Sequence, residues 1–290
     1  MEIRPLADER FRFRKFSPTM RRDFENKNVL ISGGSSGLGL QLAIASVMRG
    51  ARVTILGRSL VKLEHAQIAI ASSAGRQVRI HAIDVLAIDE PKAFENWIEE
   101  QPPHIVINAI GRSDRGPSMS LTQLEYEQLF RDNVLAAWNI TRHCLPSLRQ
   151  NRGSVVNIGS LAGILSTPNM GGYCTTKFAL TALTRQWRHE FLEQSIHVML
   201  VCPGPIRRDD SSQRYGEVIS NRGLDAEQAS KPGGGAKVKL LDPERLSHTI
   251  LDGILSRKCE MVLPAKARYL AAMTALWPSL ADRILRRYLD

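Results

Sequence analysis

Tyr173 and Lys177 stand four residues apart in Tyr173–Gln194, a stretch whose apolar spacing predicts a long helix, so both side chains share one helix face. A phenol ordinarily gives up its proton near a pKa of about 10, too high for efficient exchange at neutrality. An ammonium close by favours the phenolate and lowers that value. The pair could therefore pass a proton to or from an oxygen on a reacting carbon. Taken alone, the spacing also occurs on ordinary helices. Ser160 lies thirteen residues before Tyr173, just beyond the strand-like run Ser154–Ile158. Its hydroxyl can hold a substrate oxygen beside the phenol, or simply end a strand. Asn133 falls where the helical pattern of Leu121–Leu148 breaks near Asp132. Its side-chain amide can bind a water that links the lysine to solvent, or cap a helix.

A second group of residues suits a phosphate. Ser32-Gly33-Gly34-Ser35-Ser36-Gly37-Leu38-Gly39 lies between a strand-like run, Asn28–Ser32, and a helical stretch, Leu38–Met48. A turn without side chains lets the backbone approach a pyrophosphate, and the helix N-terminus offers N–H groups and a positive dipole end. The next strand, Arg52–Leu56, leads into Gly57-Arg58. Folds that prefer NAD commonly carry an acidic residue there for the ribose hydroxyls. A carboxylate would repel a 2′-phosphate, whereas the Arg58 guanidinium can bind one, so NADP(H) is expected over NAD(H). Asp84, followed by Val85, comes after the third strand and can accept from an adenine amino group or make a local turn. Asn108, Ala109, Ile110 and Gly111 end the fourth strand, at the sheet edge where such folds bind ligands.

The elements that must position these residues alternate. Strand-like runs at Asn28–Ser32, Arg52–Leu56, Val78–Ile83, Ile105–Asn108, Ser154–Ile158 and His197–Cys202 are separated by helical stretches. These include Leu60–Ala74 and Ala93–Glu100. Continuous apolar strands in repeated β-α-β order predict a parallel sheet covered on both faces. Right-handed crossovers make it a Rossmann-like, doubly wound α/β domain of three layers, α/β/α. We divide the chain into a basic arm (1–27), a catalytic domain (28–264) and a C-terminal helical tail (265–290). Within the domain, 206–241 is too long for an ordinary connection and reads as a substrate lid or loop.

Composition supports a folded body. Of 290 residues, 43% are hydrophobic and 23% charged, enough apolar material for a sizeable core. The formal net charge is +10, with Arg4, Arg10, Arg12, Arg14, Lys15, Arg21 and Arg22 crowding the N-terminus. A solvated arm or an anionic membrane surface accounts for that better than nucleic acid, because no zinc-finger spacing or basic zipper accompanies it. Cys144, Cys174, Cys202 and Cys259 show no paired or metal-ligand spacing and read as buried thiols of a reducing compartment. No apolar run reaches the ~18–20 residues of a membrane span. A cytoplasmic, membrane-associated or freely soluble location is the expectation.

The ordered set Gly33/Gly37/Gly39, Asn108–Gly111, Ser160 and Tyr173-Cys174-Thr175-Thr176-Lys177 resembles the short-chain dehydrogenase/reductase family, as does Pro203-Gly204-Pro205-Ile206. The resemblance runs from Asn28 to Gly204, with a plausible continuation to about Pro264. It implies that Tyr173 is the general acid in reduction and the base in oxidation. Lys177 then lowers its pKa and binds the nicotinamide ribose, Ser160 orients the carbonyl, and Asn133 anchors a proton-relay water. Ser32, Gly33, Ser35, Ser36, Gly37, Leu38, Gly39, Arg58, Asp84, Val85, Asn108, Ala109, Gly111, Tyr173, Lys177, Pro203, Gly204 and Ile206 are the implied cofactor contacts. The chain departs from the family pattern in three places. Asn108-Ala109-Ile110-Gly111 replaces Asn-Asn-Ala-Gly, and Ser32 replaces a threonine. Arg207-Arg208 stands where a cofactor-contacting threonine is usual, which suggests an anionic group nearby.

These residues point to an NADP(H)-dependent oxidoreductase for a carbonyl compound or secondary alcohol. The alternative is a catalytically silent NADP(H)-binding regulatory protein, which the intact Asn133, Ser160, Tyr173 and Lys177 disfavour. Arg207, Arg208, Arg214 and Lys231 can meet an anionic substrate or stay solvated. The tail carries no charge from Tyr269 to Ala281, and Tyr269, Met273, Leu276, Leu280, Ile284 and Tyr288 recur at helical spacing. Pro278 belongs in the first turn of a second short helix. Such a tail can lie in a membrane interface, cover a hydrophobic substrate mouth, or dock on its own domain or a partner. It loosely resembles family tails that act on lipid-like or steroid ketones. The resemblance also implies a homo-oligomer, dimer or tetramer, built on the two long helices.

Overall fold

The computed structural model describes residues 22–88, 91–166, 169–207 and 239–287. Most of the basic arm, with its arginines up to Arg21, lies outside them, as do Arg208, Arg214, Lys231 and Tyr288.

Seven strands form one sheet: β1 (Asn28–Ser32), β2 (Arg52–Gly57), β3 (Arg79–Ala82), β4 (Ile105–Asn108), β5 (Ser154–Ile158), β6 (His197–Pro203) and β7 (Glu260–Leu263). Their order is β3-β2-β1-β4-β5-β6-β7, and every pairing is parallel. The order reverses between β1 and β4, so the loops leaving those strands diverge and open a crevice at the carboxyl edge. This is a Rossmann-like α/β fold.

Side chains alternate along each strand with a period of two and feed two cores. Val29, Ile31, Val53, Ile55, Ile107 and Val156 point to one face, against α1 (Gly37–Met48), α2 (Leu60–Ala74) and α7 (Pro243–Leu255). Leu30, Leu56, Val106, Val155 and Val198 point to the other, against α3 (Pro91–Glu99), α5 (Ala136–Asn151) and α6 (Gly171–Glu190). The helical pattern that breaks near Asp132 resolves into α4 (Gln123–Phe130), a π-helical turn at Arg131–Leu135, and α5. α4 begins on a capping box in which Thr122 and Glu125 satisfy each other's amides.

Sequence reading and structure differ in three places. β7 was not singled out, because only Met261 and Val262 of this short edge strand are buried and no period of two shows. Cys259 is exposed, unlike the other three cysteines, since it sits in the turn before that edge strand. The boundary at residue 27 also falls within packed chain. Phe24 is buried under the Arg49 guanidinium, and its N–H donates to the Arg49 carbonyl at 3.1 Å.

The tail forms α8 (Ala267–Leu276) and α9 (Pro278–Arg287), with Pro278 opening the second helix as expected. Ala267, Leu270, Ala271 and Leu285 dock on Ile164, Leu165, Leu200, Cys202 and Val262. Thus the face that packs is not the Tyr269/Leu276/Leu280 stripe, which is exposed. No helix among the described residues is long and apolar enough to cross a membrane.

Arg49 ties these pieces together. Its side chain, 6% exposed, bonds Asp23 at 2.5 Å and Asp252 of α7 at 2.8 Å. Removing the cation takes a buried partner away from Asp23 and Asp252 and uncovers Phe24. Because both acids can recover some solvent, the cost should fall below that of a fully buried pair, at about 2 kcal/mol. Urea unfolding of Arg49→Ala tests this; an unchanged midpoint would contradict it.

Candidate active site

The β1–α1 loop turns on Gly33, whose φ of 77° lies in the left-handed region. A Cβ on Gly39 would lie 2.2 Å from the Gly33 carbonyl oxygen, so the first turn of α1 can close on the loop only with glycine there. Ser36 occupies the N-cap without making a side-chain cap bond, and no acid stands in the first turn. The helix therefore presents its amide dipoles to the crevice, an arrangement suited to a phosphate. Leu38 is buried and offers a ligand only its backbone. At the end of β2, Arg58 is exposed, and a Cβ on Gly57 would lie 3.6 Å from Ser35 Oγ. Ser35, Gly57 and Arg58 thus gather at one corner. Asp84 takes the local option: its Oδ1 accepts from the Leu86 N–H at 3.0 Å, and Val85 beside it is buried.

Two side chains expected at the nucleotide are spent inside the protein. Ser32 Oγ donates to Asn108 Oδ1 at 3.2 Å. Asn108 Nδ2 donates to Thr141 Oγ1 at 3.0 Å and Asn157 Oδ1 at 2.8 Å, and Asn157 donates on to Thr184 at 2.9 Å. These polar groups are buried and satisfy one another, so Ser32 and Asn108 can serve a ligand only through their main chain. That main chain is well placed: a Cβ on Gly33 would lie 2.9 Å from the Ile110 nitrogen.

Asn133 is held by three bonds of its own. Its Nδ2 donates to the Arg112 carbonyl and to Thr176 Oγ1, both at 2.9 Å, while its Oδ1 accepts from the Arg112 N–H at 2.8 Å. Both amide donors are taken at a position 1% exposed, so the side chain fixes the loop after β4, while its Oδ1 keeps a second lone pair. Thr176, which in turn donates to the Tyr173 carbonyl at 2.9 Å, is part of the Tyr173–Lys177 motif but has no role legible in the sequence, and Asn157 is a further buried partner. A lone asparagine inside the apolar strand Ser154–Ile158 was the available signal for Asn157.

Lys177 stands where these parts meet. It is 3% exposed, and its Nζ donates to the Ile158 carbonyl at 3.0 Å. A Cβ on Gly111 would lie 3.2 Å from that Nζ and 3.0 Å from Asn133 Oδ1. Burial lowers the ammonium's pKa to about 8. The Nζ lies 5.8 Å from the centre of the partly exposed Tyr173 ring, which packs against Ala162, Met170 and Cys174. Ser160 leaves β5 in extended conformation, and its Oγ accepts from the Ala162 N–H at 3.1 Å. That bond leaves the hydroxyl proton available to donate.

After β6, Gly204 donates to the Leu263 carbonyl at 2.7 Å, and a Cβ there would lie 3.4 Å from Leu161. The Pro203-Gly204 turn is thus close to the Ser160 loop. Ile206 bridges to Leu241. Arg207 pairs with Asp242, the N-cap of α7, across that bridge. The capping carboxylate is fixed by the Arg245 N–H.

The family model described as short chain dehydrogenase matches residues 27–217. The chain belongs to the short-chain dehydrogenase family. Ketoacyl reductase HetN of a Nostoc species is 26% identical over 269 residues, 90% of this chain and 88% of that one. The uncharacterized oxidoreductase YvrD of Bacillus subtilis is 33% identical over 189 residues, 64% of this chain and 71% of that one. L-sorbose reductase from Gluconobacter frateurii, solved with NADPH and L-sorbose, superposes with a TM-score of 0.71 at 21% identity, over 84% of this chain and 95% of that one. As a short-chain dehydrogenase, this protein is a nucleotide-binding oxidoreductase acting on CH–OH or C=O groups.

The Lys177 environment makes a prediction about stability. The folded pKa of about 8 lies below the ordinary 10.5, so between those pH values the unfolded chain binds more protons. Raising the pH therefore favours the folded state. The unfolding free energy of the wild type, measured relative to Lys177→Met in urea, should climb as pH rises from about 8 to 10.5. A pH-independent difference would contradict a buried, destabilised ammonium.

Proposed function

We propose that this dehydrogenase moves hydride between NADP(H) and a carbonyl compound or its secondary alcohol, with Tyr173 carrying the proton. The observation that carries this reading is the buried Lys177 ammonium near the half-exposed Tyr173 ring, beside a serine whose hydroxyl is free to donate. A pKa of about 8 keeps Lys177 mostly charged at neutrality, where it favours the phenolate and can bond ribose hydroxyls.

Bound nicotinamide supplies or takes up the hydride. The residues of this chain do the rest. In reduction the Tyr173 hydroxyl gives its proton to the carbonyl oxygen, and in oxidation the phenolate takes it back. Ser160 donates to the same oxygen and holds the carbonyl carbon in reach. Asn133 positions Gly111, Arg112 and Thr176 around the lysine. A relay water, in this reading, donates to the remaining lone pair of Asn133 Oδ1, beside the Lys177 ammonium.

The free N-terminus of α1 suits the pyrophosphate, with backbone contacts from Gly33 to Gly39 and from Asn108 to Gly111. Arg58 and Ser35 suit a 2′-phosphate, and Gly57 offers no carboxylate to repel it. Sorbose reductase, of the same fold, was solved with NADPH, which agrees with this assignment. We assign 28–264 to the catalytic domain, 206–241 to the substrate side, and the exposed Leu135, Trp138 and Phe178 of the long helices to a homo-oligomer contact. Cysteines that form no disulfide among the described residues suit a reducing, cytoplasmic location.

Tyr173→Phe should keep its affinity for NADPH while kcat falls by ~10²–10⁴. Full turnover in that variant, measured as NADPH oxidation with any accepted ketone, would reject the mechanism. For cofactor choice, Arg58→Ala should lose about tenfold or more in NADPH affinity and little in NADH affinity, as expected for a charge-assisted bond. Gly57→Asp has room, because a Cβ there meets Leu63 at an ordinary 3.5 Å, and it should reverse the preference. Equal losses for both nucleotides would undo the 2′-phosphate assignment.

A further inference from the structure

We propose that the α8–α9 hairpin docks this protein on the surface of an anionic lipid bilayer. α8 is apolar on two sides. Ala267, Leu270 and Ala271 bury one side against the body. Tyr269, Met273 and Leu276, at positions i, i+4 and i+7, line the other. Tyr269 is 76% exposed and Leu276 66%. The stripe continues around the break between the helices through Trp277, 61% exposed, to Leu280. A helix that is apolar around its circumference ordinarily has both sides covered, and among the described residues only one side is.

The nature of the missing cover follows from residue type and charge. Tyrosine and tryptophan have amphipathic rings that settle at the headgroup level of a bilayer. Basic residues frame the apolar stripe: Lys266 and Arg268 at the start of α8, and Arg283 on α9, all exposed. In sequence, residues 265–287 hold five basic residues (Lys266, Arg268, Arg283, Arg286, Arg287) against the single acid Asp282. Apolar and aromatic groups within a cationic frame match an interfacial helix on anionic lipid. A second copy of the chain would bring the same cations against each other, which disfavours self-association through this face.

The hairpin rests on Ile164 and Leu165, which follow Ser160 by four and five residues. Docking therefore brings the Ser160 loop close to the lipid surface, where a lipid-soluble carbonyl substrate is concentrated. This last step rests on the proposed activity, whereas the docking itself does not.

Flotation of the full chain with vesicles tests the docking. The wild type should float with phosphatidylcholine/phosphatidylserine vesicles, bind pure phosphatidylcholine several-fold less, and lose much of its binding in high salt. Tyr269→Ser/Leu276→Ser/Trp277→Ser should lose most flotation while retaining the wild-type circular dichroism spectrum, melting curve and NADPH affinity, because the three side chains are exposed. Since the basic N-terminal arm is intact in that variant, unchanged flotation would assign membrane binding elsewhere and overturn the proposal. Failure of the wild type to float would also overturn it, as would sedimentation showing a dimer that only the triple variant dissolves. Inactivity toward every ketone, with flotation intact, would count against the proposed activity and leave the docking standing.

Discussion

A lysine ammonium taken out of water has to be met by other charge or dipoles, and in this protein the arrangement that meets it sets the geometry of the site. Lys177 Nζ bonds the last carbonyl of β5, next to Gly111 at the end of β4 and four residues along α6 from Tyr173. Two strand ends, one helix face and the π-helical turn at Arg131–Leu135 must all arrive at the right distance for this to hold. The sheet order supplies that convergence, because β4 and β5 are neighbours on the side of the reversal away from β2. Keeping a buried cation costs stability. That cost is consistent with a functional site, where fold and chemistry make opposing demands.

Below the cation lies a chain of buried hydrogen bonds. Ser32, Asn108, Thr141, Asn157 and Thr184 pass donors and acceptors across β1, β4 and β5 to α5 and α6. With its polar groups satisfied, such a network fixes relative strand heights more closely than apolar packing does. The heights matter because the Gly33 loop and the Ala109–Gly111 loop touch within van der Waals distance above it. The phosphate end and the proton-transfer end of the crevice are thus connected through one set of side chains, and Asn133 extends the same logic to Thr176.

Much of this was legible in the sequence, for physical reasons. The strands are continuous apolar runs because both faces are buried, so their existence and parallel order could be read directly. The Gly33/Gly37/Gly39 loop could be read from its place between a strand and a helix, whereas the Tyr173/Lys177 spacing, common on ordinary helices, gained its meaning from the glycine loop and Ser160 standing in order before it. What could not be read was the direction in which polar side chains point. Ser32 and Asn108 turn their side chains to one another and Asn133 turns its own to Arg112 and Thr176, and a sequence carries no signal separating an asparagine that bonds a ligand from one that bonds threonine. For Arg207 the sequence left an anionic ligand and solvent both open, and Asp242, thirty-five residues later, is a third partner that spacing does not reveal. The tail shows the same limit: helical period marked an apolar stripe, but a helix apolar on two sides does not reveal which side packs.

The central claim is that these residues transfer a proton at an oxygen whose carbon exchanges hydride with a nicotinamide. The most direct test is to give the purified protein NADPH deuterated at the transferable position of the nicotinamide ring, together with a panel of small, steroid and long-chain carbonyl compounds, and to locate the label by mass spectrometry. The account predicts deuterium on the carbinol carbon of at least one product, with NADPH consumed in equal amount. Failure of the protein to bind NADPH, or oxidation of the nucleotide with no label in any product, would contradict it.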